Sequence, residues 1–150
     1  MEKIELALLK AEIDAQVIEI DHIFTRLAER KKKKGKVAVE SIGYQLHNLY
    51  CAFEDLFKII AEGFENHIHD KSRYHVELLR RMTIPIKGVR PPLLRKESSS
   101  LLENLRSFRH FFRHAYSYEL DERKVKIVLE DAFKLKAVYQ QDINLFLNNL

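Results

Sequence analysis

The sequence of 150 residues contains one cysteine, no tryptophan, four glycines and three prolines. The single thiol, Cys51, excludes a disulfide within the chain and fits a reducing compartment. So few glycines and prolines argue against a protein of short strands and turns, while abundant Leu, Lys, Glu and Ala favour helices. The sequence therefore predicts an all-α protein that forms a single domain over residues 1–150.

Long uncharged apolar runs are missing, and so is the basic, apolar start of a signal peptide. We therefore expect a soluble cytoplasmic protein with no membrane partner. The net charge of +4 is weak evidence for nucleic-acid binding, because the run from Arg30 to Lys36 alone supplies six positive charges. This run is interpreted first as a solvated loop between helices, and second as a contact to RNA phosphates.

Apolar residues recur at steps of three and four along most of the chain, which is the spacing of one face of an α-helix. A long first helix is predicted from Leu6 to the lysine run, ending near Gly35. A second long helix is predicted over 38–66, and a short third helix over 72–82. Two residues, Asp70 and Ser72, are candidate caps for the third helix.

A proline-rich stretch after the third helix is predicted to be irregular. Ser100 and Glu103 have the spacing of a capping box and predict the start of a fourth helix. Asp121 is the predicted cap of a fifth helix. The sum is an up-and-down bundle of four main helices plus a short extra helix. The predicted apolar stripe of the fifth helix is Val125, Leu129, Ala132, Leu135, Tyr139, Ile143 and Phe146.

The stretch RSFRHFFRHAYSYELD, residues 106–121, concentrates cations, histidines and tyrosines at the end of the fourth helix. One face of this helix is apolar and is predicted to face the core: Leu101, Leu105, Phe108, Phe112 and Ala115. The opposite face carries Arg106, Arg109, His110 and Arg113, and its simplest interpretation is a solvated basic surface.

Arg109, His114 and Tyr116 form the pattern R-x-x-x-x-H-x-Y, which suits phosphodiester chemistry. A guanidinium binds two phosphate oxygens, and an imidazole transfers protons at neutral pH. Together they can cleave RNA through its 2′-hydroxyl without a metal ion. On a regular helix, Arg109 and His114 would lie roughly 140° apart. They converge only if the helix unwinds near Ala115 or if a second subunit supplies one of them.

With these residues the sequence resembles the HEPN superfamily of helical-bundle ribonucleases, and more narrowly the HepT toxins. In those toxins R-x-x-x-x-H-x-Y precedes a short acidic turn and a final helix, and RHFFRHAYSYELD supplies each part. The resemblance extends to YQLHNLYCAFEDLFKIIAEGFEN in the second helix and to the order of the helices. His110 departs from the family pattern, because many relatives have asparagine directly after the arginine.

The resemblance implies a metal-independent RNA endonuclease, the toxin of a type II or type VII-like toxin–antitoxin system. It implies a homodimer in which two motifs face one cleft, with Arg109 binding phosphate and His114 acting as general acid and base. Arg106, His110 and Arg113 are weaker candidates for RNA contacts. No cofactor and no metal ion are expected.

The resemblance also implies a partner, a minimal nucleotidyltransferase antitoxin called MNT, which transfers AMP from ATP to the motif tyrosine. By that match Tyr116 is the modified residue, with Tyr118 as the alternative. A different class of function also stays open, in which a non-catalytic HEPN-like module binds a nucleotidyltransferase or a nucleotide through the same face.

Several other residues have both a functional and a structural interpretation. His110 and His114 have a spacing that binds metal ions only where further ligands converge. Cys51 is interpreted as core packing, and the alternative, a nucleophile, has no supporting motif in the sequence. Three further histidines are interpreted as exposed turn residues: His67, His69 and His75.

Overall fold

A computed structural model of the chain describes residues 1–64, 71–117 and 119–150. These residues form α-helices and no β-strand, which confirms the predicted all-α class. Four of the helices are long and one is short, as the apolar spacing predicts. The helices are α1 Lys3–Arg30, α2 Lys36–Phe64, α3 Tyr74–Arg81, α4 Lys96–Arg113 and α5 Glu122–Asn148.

The connection between α1 and α2 differs from the prediction at Gly35. α1 already ends at Arg30, before the lysine run. Gly35 has a φ of +99°, and its carbonyl accepts the backbone N–H of Val39 at 3.0 Å, which is the first hydrogen bond of α2. Glycine adopts this positive φ without strain. The residue therefore starts the second helix rather than ending the first.

The starts of α3 and α4 were both predicted from local cap signals, and neither Ser72 nor Ser100 is the N-cap residue of its helix. A 3₁₀ turn over Lys71–Arg73 leads into α3, so Ser72 is not its cap, and Asp70 lies outside the described residues. α4 begins at Lys96, before the capping box predicted at Ser100. Ser98 is fully buried in the first turn of α4, so packing extends the helix beyond a local signal of about 1 kcal/mol.

The start of α5 agrees with the prediction. The carboxylate of Asp121 accepts the backbone N–H of Arg123 at 2.9 Å, which satisfies one of the exposed donors of the first turn. All of the predicted α5 stripe is buried except Leu129, which is half-buried. The cap thus sets where the chain becomes helical again after the motif.

The stretch between α3 and α4 is irregular, as its prolines predict, and it is ordered by one buried arginine. Arg90 is only 4% exposed. Its guanidinium donates to the backbone carbonyls of Arg81, Ile84 and Pro91 at 3.0–3.1 Å. A charged side chain is buried at acceptable cost when carbonyl oxygens satisfy its donors. Arg90 therefore holds the connection in one conformation.

α2 is the centre of the bundle, because it packs against each of the other four α-helices. α1 packs on α2 and α5, and in the described part of the chain it does not contact α4. An aromatic cluster joins the three central helices: the ring centroids of Phe24 and Phe53 lie 5.4 Å from that of Tyr139. This core separates α1 from α4.

At one point α2 and the end of α4 approach unusually closely. A Cβ atom at Gly43 would lie 2.8 Å from Leu120 and 3.3 Å from the ring of Phe112. The missing side chain lets both residues pack on the α2 backbone. Gly43 therefore fixes the position of the segment that follows the motif.

None of the helices in the described ranges is long and apolar enough to span a membrane.

Candidate functional site

The motif predicted from the sequence lies at the last turn of α4 and in the turn that follows it. α4 ends at Arg113, and His114 is its C-cap residue, with φ −108° and ψ 7°. The N–H groups of His114 and Ala115 bond the carbonyls of Phe111 and Phe112, a tighter pattern than the α-helix. The helix therefore ends close to Ala115, where unwinding is one of the two ways to bring Arg109 and His114 together.

Arg109 is turned towards α2, where it meets Cys51. The Nε–H of Arg109 donates to Cys51 Sγ at 3.3 Å, and both side chains are half-buried. Neither Nη atom of Arg109 has a hydrogen-bond partner among the described residues. The interpretation of Cys51 as core packing is therefore incomplete, because the thiol also anchors the motif arginine. The Nη edge of the guanidinium remains for two oxygens of a phosphate.

His47 lies on α2 beside the same arginine and is a site residue that the sequence analysis missed. Its ring nitrogens lie 3.9 and 4.0 Å from Cys51 Sγ, and its ring centroid is 5.4 Å from that of Phe112. Burial lowers the pKa of His47, and the charges of Arg109 and Arg113 lower it further against a hydrogen bond with Asn48. His47 is therefore neutral at pH 7.

We expect His47 to titrate below the usual histidine pKa of about 6.5. Replacing Arg109 or Arg113 with glutamine should raise this pKa, because a positive charge that disfavours the imidazolium is removed. The measurement is an NMR titration of the His47 ring protons in the wild type and in each variant. Arg26→Gln, an exposed change on α1, is the control and should leave the titration unchanged. A His47 pKa unaffected by both site variants would contradict this arrangement.

Of the arginines Arg106, Arg109 and Arg113 on α4, Arg106 is the least available to bind a phosphate. Its guanidinium forms a bidentate ion pair with Glu103 on the same helix, and this hydrogen bonding raises the pKa of Arg106 above its usual range. Arg106 is also half-buried against α2, close to the phenol of Tyr50. The prediction that these cations share a solvated face is therefore wrong for Arg106 and Arg109, because α2 covers part of that face.

Tyr50 lies beneath these arginines with its side chain fully buried. Its hydroxyl has no hydrogen-bond partner among the described residues. Burial and the Glu54 carboxylate raise the pKa of Tyr50 well above its usual range. Tyr50 is therefore a neutral phenol at physiological pH, and the positive charges of the site are not balanced by it.

His110 and His114 lie one turn apart at the end of α4. Both are exposed, and their ring centroids are 4.8 Å apart with the rings at 60°. In the described part of the chain, no group of three His, Cys, Asp or Glu side chains could hold a metal ion. No contact joins Arg109 to His114 within the chain as described. One copy of the protein thus presents the motif arginine and the motif histidine on different faces of α4.

Tyr116 projects from the turn after α4 and is 91% exposed. The segment that follows is anchored at two points, since Leu120 packs on Gly43 and Glu119 forms an exposed ion pair with Lys36 at 3.1 Å. Tyr118, the alternative modification site, lies outside the described residues. The Tyr116 phenol is thus accessible on a segment whose end is attached to α2.

His75 differs from its predicted role as an exposed turn residue. Its Nδ1 lies 2.7 Å from the Glu54 carboxylate, which is only 3% exposed, and Lys58 Nζ lies 3.8 Å from the other oxygen. A buried carboxylate needs such partners. His75 therefore joins α3 to α2, whereas His67 and His69 lie outside the described residues.

Comparison with known proteins gives one family match. A family model described as HepT-like protein matches residues 41–150, which include the motif, α3, α4, α5 and all of α2 after its first five residues. Neither the comparison with curated proteins nor the comparison with solved structures gives a match. The matched part covers more than half of the chain and contains each residue of the candidate site.

Proposed function

The chain belongs to the HepT-like proteins, toxin-like HEPN modules, and from this premise we propose that it is a metal-independent RNA endonuclease. In this proposal it is the toxin of a type II or type VII-like toxin–antitoxin system, and the catalytic domain spans residues 1–150. The observation that carries the proposal is the hydrogen bonding of the Arg109 guanidinium. Its Nε is held by Cys51, the sulfur that also lies near His47, while its Nη edge has no partner among the described residues.

The proposed reaction is transesterification at a phosphodiester of RNA. The 2′-oxygen attacks phosphorus as its proton passes to a base, and the bond from phosphorus to the 5′-oxygen breaks as that oxygen gains a proton. The products are a 2′,3′-cyclic phosphate and a free 5′-hydroxyl. Arg109 stabilises the negative charge that builds up on the phosphate oxygens, and His114 acts as general acid and base. Arg113 and His110, both exposed, supply further RNA contacts.

We propose that the active form is a homodimer. Within one chain Arg109 faces α2, while His114 packs on His110. A second copy that meets the first at the end of α4 would bring the histidine of one subunit to the arginine of the other. Two copies of His114 near one phosphate could then act as base and acid.

The test uses the purified wild-type protein, labelled RNA and an excess of chelator. We expect cleavage of RNA that continues in the chelator, with products that end in a cyclic phosphate. The same sequence as DNA should stay intact, because it lacks the 2′-hydroxyl nucleophile. Intact RNA under all conditions would reject the nuclease and favour the non-catalytic module. Cleavage that stops in chelator would reject the metal-independent mechanism.

We further propose that an MNT-type nucleotidyltransferase antitoxin neutralises the toxin by modifying Tyr116. The Tyr116 oxygen would attack the α-phosphorus of ATP, lose its proton and release pyrophosphate, leaving AMP on the tyrosine. The new phosphodiester carries a negative charge and bulk next to His114, and would repel RNA phosphates. The exposure of Tyr116 supports this assignment.

Co-expression with a nucleotidyltransferase encoded by a neighbouring gene should add the mass of AMP to the wild-type protein. The Tyr116→Phe variant should not gain this mass. We expect Tyr116→Phe to remain toxic in the presence of the antitoxin, because the acceptor oxygen is gone. Intact-mass analysis and cell survival are the two measurements. Tyr44→Phe, at an exposed tyrosine of α2, is the control. Loss of the added mass in Tyr118→Phe but not in Tyr116→Phe would reassign the site, and an unmodified but neutralised toxin would mean inhibition by binding alone.

A further inference from the structure

α1 is apolar on two opposite faces, and only one of them is buried. The buried face packs on α2 and α5. The opposite face carries apolar residues at steps of four and three, and we call it the outer stripe. All of its members are exposed, and the three large ones, Ile4, Leu8 and Ile18, are 82%, 61% and 55% exposed. The outer stripe consists of Ile4, Leu8, Ala11, Ala15 and Ile18.

The length and spacing of the outer stripe correspond to those of a helix–helix seam. From Ile4 to Ile18 the stripe extends roughly 21 Å along the helix, at about 1.5 Å per residue. Alternating steps of four and three place its members where the a and d residues of a helical pair lie. The two central alanines are small, so the backbone of a partner helix could approach closely. A helix is therefore the kind of element that fits this face.

The charged residues beside the stripe indicate which kind of partner helix would bind to it. Every charged residue between Ala11 and Asp21 is acidic, and all of them are exposed. At about 100° per residue, Glu12 and Glu19 border the stripe on one side and Asp14 and Asp21 on the other. Lys3 and Lys10 lie on the Asp14 side beside the first half of the stripe, so on that side the acidic border is confined to the second half. A groove between α1 and the end of α2 adds two further carboxylates, because Glu5 and Glu62 line it together with Glu12 and Leu8.

These acidic borders argue against a second copy of α1 as the occupant. Two copies of α1 packed along the stripe, parallel or antiparallel, would bring Glu12 and Glu19 close to acidic residues of the other copy. Like charges across a helical seam disfavour the pair. RNA is disfavoured for the same reason. A helix whose apolar residues are flanked by lysine or arginine is complementary in both shape and charge.

We propose that the outer stripe of α1 is the docking surface for an amphipathic, basic-flanked helix of a protein partner. The proposal does not rest on the ribonuclease activity. It concerns α1, which lies outside the matched residues 41–150 and does not contact α4 in the described part of the chain. The partner helix would cover Leu8 and Ile18 and pair its cations with the acidic residues on both sides.

The experiment uses the full chain and two synthetic helical peptides of about 18 residues, which is enough to cover the stripe at 1.5 Å per residue. Both peptides carry leucines at the seam positions. One is flanked by lysines and the other by glutamates. Fluorescence anisotropy should show binding of the lysine peptide at least about tenfold tighter than binding of the glutamate peptide. Leu8→Gln with Ile18→Gln should weaken binding of the lysine peptide about tenfold or more.

Two further variants separate the proposal from simpler explanations. Ile127→Gln replaces an equally exposed apolar residue on α5 and should leave binding unchanged. Ile18→Glu adds a negative charge and removes an apolar residue of the stripe. If charge alone attracted the lysine peptide, this variant would bind it more tightly. We expect weaker binding, because the apolar contact is lost. Because these side chains are exposed, the variants should keep the wild-type circular dichroism spectrum.

Three results would overturn the proposal. The first is equal binding of the two peptides, and the second is no binding of the lysine peptide. The third is a wild-type oligomer that dissociates in the Leu8→Gln, Ile18→Gln variant, measured by light scattering, since a second copy would then occupy the stripe.

Discussion

Arg109→Ala should lower the rate of RNA cleavage by about 10²–10³-fold, the effect typical of removing one group that stabilises transition-state charge. Arg109→Lys should lower the rate of RNA cleavage almost as much as Arg109→Ala does. A lysine presents a single ammonium and cannot hold the Cys51 sulfur through a separate N–H while it binds two phosphate oxygens. His114→Ala should lower the rate by about 10²–10⁴-fold, because proton transfer to or from the reacting oxygens is lost.

Single-turnover rates on a labelled RNA measure these losses, and cell survival after induction gives an independent readout. Arg26→Ala is the matched control, because Arg26 is an exposed arginine on α1 and outside the site. Thermal unfolding of each variant separates lost chemistry from lost structure. Wild-type rates in both Arg109→Ala and His114→Ala would contradict the assignment of the site. A loss in Arg26→Ala as large as in Arg109→Ala would mean that general charge, not a specific phosphate site, governs cleavage.

Arg95→Met should lower the free energy of unfolding by about 3 kcal/mol, at the low end for breaking a buried ion pair. The carboxylate of Asp142 on α5 is completely buried, and Arg95, the N-cap residue of α4, donates to it from its side chain. The Arg95 backbone N–H also points to this carboxylate at 3.4 Å. Without the guanidinium, a charge would remain buried with one weak partner. The low end applies because Arg95 is partly exposed and admits water.

Urea unfolding measures this effect, and the chain offers a matched control. Arg80 forms the same kind of ion pair with Glu77 on the surface of α3, where water screens the charges, so Arg80→Met should lower the free energy of unfolding far less than Arg95→Met does. In the Arg95→Met background, Asp142→Asn should restore part of the lost stability, because the unpaired charge is removed. Equal losses from Arg95→Met and Arg80→Met would show that burial of Asp142 contributes little.

The helices could be predicted because their apolar stripes follow the bundle core over many turns. The error at Ser100 has a physical reason. A capping box contributes about 1 kcal/mol, whereas the turn before it, with Ser98 at its centre, packs into the bundle. Local signals of this size decide a helix boundary only where tertiary packing does not compete. Asp121 itself is exposed, its carboxylate is bonded to the first turn of α5, and there the cap prediction is confirmed.

Arg109, His114 and Tyr116 could be selected from spacing and residue type, but their α2 neighbours could not be assigned in the same way. Cys51 and Arg109 are far apart in sequence, and only packing brings them together. A usable signal was nevertheless present. Polar or reactive side chains recur at steps of three and four along the otherwise apolar α2, which indicates a second functional face: His47, Tyr50, Cys51, Glu54 and Lys58.

In the described part of the chain α1 does not contact α4, so substitutions can accumulate on these two helices separately. Substitutions along the outer stripe of α1 alter a helix that does not contact α4, the helix of Arg109, among the described residues. Substitutions at the motif leave that stripe intact. The two surfaces can therefore be selected separately, so that the proposed docking surface can change while the proposed RNA site stays constant. An engineer could exchange the outer face of α1 to direct the same bundle to another complex.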